Sequence, residues 1–395
     1  MSDQKIKSKI SKNVIILGFV SLFNDFASEM IYPIVPLFLT TVLGAPVTVV
    51  GLIEGMAEST ASILKIFSGW LSDRFRKRKI FVLLGYSFST ISKVLIGLAY
   101  SWPLVLFARF FDRVGKGVRT SARDALITEY SEESTRGRSF GYHRAMDTIG
   151  AVIGPLVALL LLYIFHENLR PIFFLAFIPG VIGVLLLFFL VKEKYSPALS
   201  KARPKLSWKS LDPSLKVFII ISSVFAIGNS SDAFLILRAQ NLGLTVTMTI
   251  LAYVLYNLTY TIFSTPAGII SDKIGPRKVL FSGFIIFGLV YLAFGLINSN
   301  WLIWLLFPIY GCYIAFTDGV GKAYIANLTT PENSGTAFGI FQTITGLCAF
   351  FASLLAGFLW KYISVGSPFI FGSIMAFVAA VLFVIMQKKL GLKKT

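Results

Sequence analysis

Apolar runs of about 20 residues or more recur along the whole chain, separated by short stretches of charge, glycine and proline, and each is long enough to cross a hydrocarbon core of about 30 Å as a helix. Breaks at the charge clusters and Gly/Pro turns predict twelve spans. They cover 13–41, 47–72, 78–99, 102–124, 138–164, 170–191, 214–239, 246–271, 278–298, 301–325, 334–363 and 367–387. The expectation is an all-α membrane protein with twelve transmembrane helices. The opening MSDQKIKSKISK is too polar, and the segment after it too long, for a cleaved signal peptide, so the first helix is read as retained.

Composition agrees with the pattern: 55% of the 395 residues are hydrophobic and 14% charged, with a mean hydropathy of +0.76. The net charge of +18 would suggest a nucleic-acid partner in a soluble protein. Here its location argues otherwise. Lys5 to Lys12, the 74–79 cluster, Lys192 to Lys216, the 273–278 cluster and Lys388 to Lys394 all fall on one side of a twelve-span topology, while the opposite loops contain almost no Lys or Arg. The positive-inside rule then places both termini and the central loop in the cytoplasm, in a cytoplasmic (inner) membrane, and no nucleic acid is needed to explain the basicity. Cys312 and Cys348 read as small packing residues, and no disulfide, metal or cofactor framework is expected.

One long polar segment, 192–213, divides the spans six and six. It reads as a cytoplasmic linker between an N-terminal bundle (1–191) and a C-terminal bundle (214–395). The halves repeat one another. Gly69 and Asp73 recur as Gly268 and Asp272, Gly137 and Phe140-Gly141 as Gly335 and Phe338-Gly339, and DRVGK at 112–116 as DGVGK at 318–322, all in the same order.

Two six-helix halves, a central loop, and GWLSDRFRKRK at 69–79 between the second and third helices resemble the major facilitator superfamily, across essentially the whole chain. The resemblance implies two pseudo-symmetric six-helix bundles acting by alternating access, as a monomer, on a small-molecule substrate. It also implies that Asp73 and Asp272, with Gly69, Arg74 and Gly268, latch a cytoplasmic gate by accepting hydrogen bonds from a helix N-terminus and pairing with arginine. Arg76 stands where the first copy usually has glycine, whereas Gly275 keeps it in the second. In the fifth span the spacing of Gly141, Gly150, Gly154 and Pro155 resembles the family's antiporter motif, in which small residues let backbones approach and proline lets a helix bend. After Pro155 the usual small residues are replaced by Leu156, Val157, Ala158 and Leu159. Ordinary glycine packing gives much of the same spacing.

Ionisable residues at membrane depth must face a cavity or each other. Asp25 lies 12 residues into the first span, roughly 18 Å along a helix and so near the midplane, with Glu29 a turn further. Glu54 and Glu58 in the second span are four apart, with Lys65 beyond them. The fourth span carries Arg109, Asp112, Arg113 and Lys116, and the fifth carries His143, Arg144 and Asp147. Asp112 with Lys116, and Asp318 with Lys322, have the spacing of self-neutralising pairs or of substrate ligands. Burial makes a carboxylate's proton harder to lose and a nearby cation makes it easier, which suits a group that loads and releases protons. The C-terminal spans are barer, with Asp232 and Arg238 in the seventh. Tyr253, Tyr256, Tyr260, Phe316, Phe338, Phe341 and Trp360 are candidates for an aromatic substrate wall, each with lipid contact or core packing as the simpler role. His143 reads as a packing histidine.

No nucleophile or metal constellation suggests an enzyme. The reading is a secondary transporter with protons as coupling ion, exporting a small amphipathic or anionic molecule such as a drug or a siderophore-like acid. Lys65, Lys93, Arg109, Arg113 and Lys116 favour negative groups on the cargo. The alternatives are a nutrient symporter and a lipid flippase, the latter recognisable by a lateral opening to the bilayer.

Overall fold

In the computed structural model, residues 10–75, 77–131, 136–193, 208, 211–329 and 334–389 are described, and among them there is helix but no strand. Ten of the twelve expected spans are single long helices, for the reason their sequences suggest: apolar runs closed by charged or Gly/Pro turns. They are α3 (Val47–Phe75), α4 (Arg78–Gly97), α5 (Trp102–Glu129), α6 (Arg136–Ile164), α7 (Arg170–Leu190), α10 (Val246–Ile274), α11 (Pro276–Leu296), α12 (Ile303–Asn327), α13 (Ser334–Tyr362) and α14 (Ser367–Lys389). Among the described residues, eleven segments are long and apolar enough to cross a membrane. The fourth span, α5, is long enough but carries too much charge to be among them.

The first and seventh spans, equivalent in the repeat, are both broken, which the hydrophobic pattern did not predict. The first divides into α1 (Lys12–Ile31) and α2 (Ile34–Leu37), the latter running into a wide π turn at Phe38–Val42. Pro33 and Pro36 supply no N–H to the helical ladder, and in the wide turn that follows the Thr40 and Thr41 hydroxyls donate to the Pro36 and Leu37 carbonyls at 3.0 and 2.7 Å. The seventh divides into α8 (Pro213–Gly228) and α9 (Ala233–Asn241) at the polar run Asn229-Ser230-Ser231-Asp232. There side chains compete with the helical ladder: Asn229 donates to the Tyr313 hydroxyl at 3.0 Å and the Ser231 N–H donates to Ser353 Oγ at 3.1 Å.

Within the first half α1 packs on α6 and α7, and α4 on α5; in the second, α8 packs on α14 and α10 on α12. The halves meet along two seams. At α3–α13, Gly51 and Gly55 lie against the backbone of Ser353 and Phe350, Gly357 against Thr48, and Gly346 against the Ser62 side chain. Small residues thus bring the two helices into backbone contact from one end of the bundle to its middle. The α6–α10 seam is looser.

Candidate functional site

A cavity of about 660 Å³ lies between the halves, lined mainly by α1, α3, α5 and α6, with Asp318, Lys322, Phe338 and Gln342 from the second half. Toward the face with the glycine-zipped seam it is closed. The Tyr32 and Tyr253 rings meet there at 5.7 Å, tilted by 31°, Ser231 donates across the halves to Glu54 at 3.4 Å, and α2 packs on α9. Its remaining lining, Lys65, Thr120, Arg123, Asp124 and Lys322, leads toward the face carrying Lys12, Arg78 and Lys273, called the basic face below.

The expected site residues sort into two kinds. One is an ionic ladder between α3 and α5, which run parallel. Arg109 donates from one nitrogen to both oxygens of buried Glu54, at 2.7 and 2.9 Å. Arg113 lies 3.8 Å from Glu58, and Asp112 sits between the two arginines at 3.9 and 3.7 Å. The matched spacing of four in both helices places each carboxylate beside an arginine. A consequence corrects one expectation: Asp112 and Lys116 do not pair, because two arginines of the same helix hold the Asp112 carboxylate. In the repeat, where α12 offers no competing cation, Asp318 and Lys322 do pair, at 2.7 Å. Asp318 also accepts from the Tyr260 hydroxyl at 3.2 Å and lies 3.8 Å from Arg144, joining α12 to α10 and α6.

The second kind is carboxylates with no Lys or Arg within ion-pair distance among the described residues. Asp25 accepts from the Asn24 amide at 3.2 Å. Glu29 accepts from the Tyr253 hydroxyl of the other half at 3.1 Å. Asp147 has His143 at 3.5 Å, and one oxygen without a partner. All three line the cavity. They lie where α1 and α6 touch most closely: a Cβ on Gly150 would meet the Leu22 carbonyl and Asp25 Cβ, and one on Gly154 the Phe26 carbonyl and Glu29 Cβ. Two glycines of the expected motif therefore sit directly under two of these carboxylates, with Pro155 inside the helix just beyond. Gly141 makes no such approach, having nothing within contact of a Cβ.

Sequence reasoning underused one stripe. Arg109, Arg113, Lys116, Thr120 and Arg123 recur every three or four residues on α5 and all face the cavity, with Arg119 beside them; read as a helical period, they would have been found. Arg119 donates to Ser89 and lies 4.7 Å over the Tyr86 ring. Lys93 donates to the Ser89 carbonyl at 2.8 Å. Neither Lys65 nor Lys116 has an ion-pair partner among the described residues. Nine Lys or Arg side chains line the cavity against seven Asp or Glu, a net positive space.

The aromatic wall is smaller than expected. Among the described residues only Tyr32 and Phe338 contribute aromatic rings to the cavity lining, while Tyr253 and Tyr256 are buried and Trp360 packs on Phe234 and Phe369. Asp232 accepts from Tyr310 at 2.6 Å and Tyr256 at 3.1 Å, inside its own half. The side chains of the expected gate residues Asp73, Arg74 and Asp272, and Gly69 with them, lie outside the described residues, as does most of the linker. Gly268 has open space around it.

A chain of membrane-crossing helices in two repeated halves, enclosing a charged cavity at their interface, is built as a membrane transporter. A profile of the Major Facilitator Superfamily matches residues 17–237 and 217–393, and the chain belongs to that family. It is 42% identical over 380 residues to an uncharacterized MFS-type transporter of Methanocaldococcus jannaschii, covering 95% of this chain and 94% of that one. It is 25% identical to the cis,cis-muconate transport protein of Acinetobacter baylyi, over 96% and 94% of the two chains. Among solved structures, a POT family transporter in complex with 5-aminolevulinic acid superposes with a TM-score of 0.81 at 15% identity, over 95% of this chain and 96% of that one. The chain is thus a transporter of small molecules rather than an enzyme.

Proposed function

We propose that the protein is a proton-coupled exporter of a small anionic or amphipathic organic molecule. One observation carries the reading: the cavity carboxylates left without Lys or Arg, Asp25 and Glu29, lie on Gly150 and Gly154, where α1 and α6 touch. A proton gained or lost there changes the charge at the helix contact that must rearrange when the halves rock. The ladder Glu54–Arg109–Asp112–Arg113–Glu58, three carboxylates on two arginines, holds its ions to one another and serves as scaffold, while Lys65, Lys116 and the cavity-facing cations of α5 outside the ladder attract the cargo's negative group. The muconate carried by a relative is a dicarboxylate, which agrees with that polarity. In this reading the basic face is cytoplasmic, the protein acts as a monomer in the inner membrane, and Asp73 and Asp272 close the gate on that side.

The test compares metabolites in cells and medium for a strain lacking the protein, one overproducing it and one overproducing Asp25→Asn. A compound that builds up inside the deletion strain, and leaves the overproducer but not the variant, is expected. A compound that instead enters only when the protein is present would make it a symporter and overturn the export reading.

A further inference from the structure

A second space borders the cavity. On the basic-face side of the α6–α10 seam the two helices diverge and leave a cleft of about 860 Å³. Val152 and Ile153 of α6 and Thr261 and Thr265 of α10 line it, and its inner end is formed by Arg144, Asp318 and Lys322, which also line the cavity, so this one charged cluster is the border between the two spaces. The cleft walls belong to 139–164 and 246–271, segments apolar enough to lie within a membrane. Ile149, Leu156, Leu258, Ile262 and Phe263 are exposed on the same two helices, as lipid-facing residues are. The outer mouth therefore lies among apolar faces suited to acyl chains, while the inner end borders a space with a net positive lining.

We propose that this cleft holds the apolar chain of a single-chain amphiphile whose anionic headgroup sits in the cavity, so that the cargo reaches the site sideways from the bilayer. The inference rests on the reading of the cavity as the cargo site. The polarity gradient sets the orientation: a chain drawn inward would desolvate Arg144, Asp318 and Lys322, and a headgroup left outward would lose water to hydrocarbon. Lys65 and Lys116, with no carboxylate partner among the described residues, are the cations available to the headgroup. The volumes set the chain number, since each space lies in the roughly 300–1,000 Å³ range of small-molecule sites and a second chain would have to enter the charged cavity.

The test uses the full chain in phosphatidylcholine vesicles. Val152→Cys and Thr265→Cys, one on each helix, are each introduced with Cys312→Ser and Cys348→Ser and labelled with N-ethylmaleimide. Myristoyl lysophosphatidic acid at about ten times its dissociation constant should slow labelling at both positions about tenfold by mass action. Glycerol 3-phosphate, with the head alone, and myristoyl lysophosphatidylcholine, with the chain under a zwitterion, should not; Leu185→Cys on a lipid-facing surface should be unaffected by any probe. Labelling that the single-chain anion leaves unchanged sinks the proposal. So does equal protection by the zwitterion, by the headless or chainless half of the probe, or by dioleoyl phosphatidic acid. Because labelling is read at one pH without a gradient, its outcome is separate from whether Asp25 carries a proton or in which direction cargo moves.

Discussion

The Glu54–Arg109 contact makes a quantitative prediction possible, because the two partners are left in unequal surroundings when the other is removed. Arg109→Met strands the Glu54 carboxylate, 2% exposed, with only the Ser231 hydroxyl at 3.4 Å. A charged side chain at membrane depth costs about 2.5–3.5 kcal/mol on insertion scales, so a loss of about 3 kcal/mol is expected. Glu54→Gln leaves Arg109 with Asp112 at 3.9 Å and the Tyr32 ring at 5.9 Å, and the expected loss is about 1–2 kcal/mol. The double variant has no stranded carboxylate and should be less damaged than Arg109→Met alone, giving a coupling of about 2 kcal/mol. Unfolding of the purified protein in mixed micelles of dodecyl maltoside and increasing dodecyl sulfate reads all four. Losses that simply add, or a Glu54→Gln variant worse than Arg109→Met, would refute the assignment of this pair as a self-compensating scaffold.

Two further outcomes follow from the same geometry. Gly154→Leu should abolish transport by pushing α6 off the Phe26 carbonyl and Glu29, whereas Gly141→Ala, with open space around it, should keep at least about half of it; uptake or efflux in whole cells with matched protein levels distinguishes them. Tyr253→Phe removes the hydrogen bond from the second half to Glu29, worth about 0.5–1.5 kcal/mol to the closed state. It should raise labelling of a cysteine placed at Tyr32 from the far side of the membrane about two- to tenfold, and unchanged labelling would remove that bond from the gate.

The spans and the concentration of charge in the first half were legible because each is written in local sequence: hydrophobic run length and counts of ions per run. Partner choice was not. The i,i+4 rule expected Asp112 with Lys116, and the fold instead placed Asp112 between Arg109 and Arg113 of the same helix, with Glu54 and Glu58 arriving from α3 to match those arginines. The same rule succeeded for Asp318 and Lys322 because no rival ion lies on α12. The breaks at Tyr32-Pro33 and 229–232 were hidden in runs whose hydropathy stays high across the interruption, since a window that averages about twenty residues cannot register two prolines or four small polar side chains. Asp25 and Glu29 could be placed by counting residues into the first span. That they rest on Gly150 and Gly154 depends on the pairing of α1 with α6, which no local pattern encodes.

The α3–α13 seam bears on how the molecule moves. Where side chains interdigitate, sliding one helix past another demands that each rotamer leave its socket, and the surfaces behave like meshed gears. Gly51, Gly55 and Gly357 leave nothing to mesh: one helix's backbone rests against the other's at Thr48, Phe350 and Ser353. Such a contact is a plain bearing, close enough for dispersion to hold it and smooth enough to turn. Rotation about that axis opens the bundle least beside α3 and α13 and most on the far side, where α6 and α10 already stand apart.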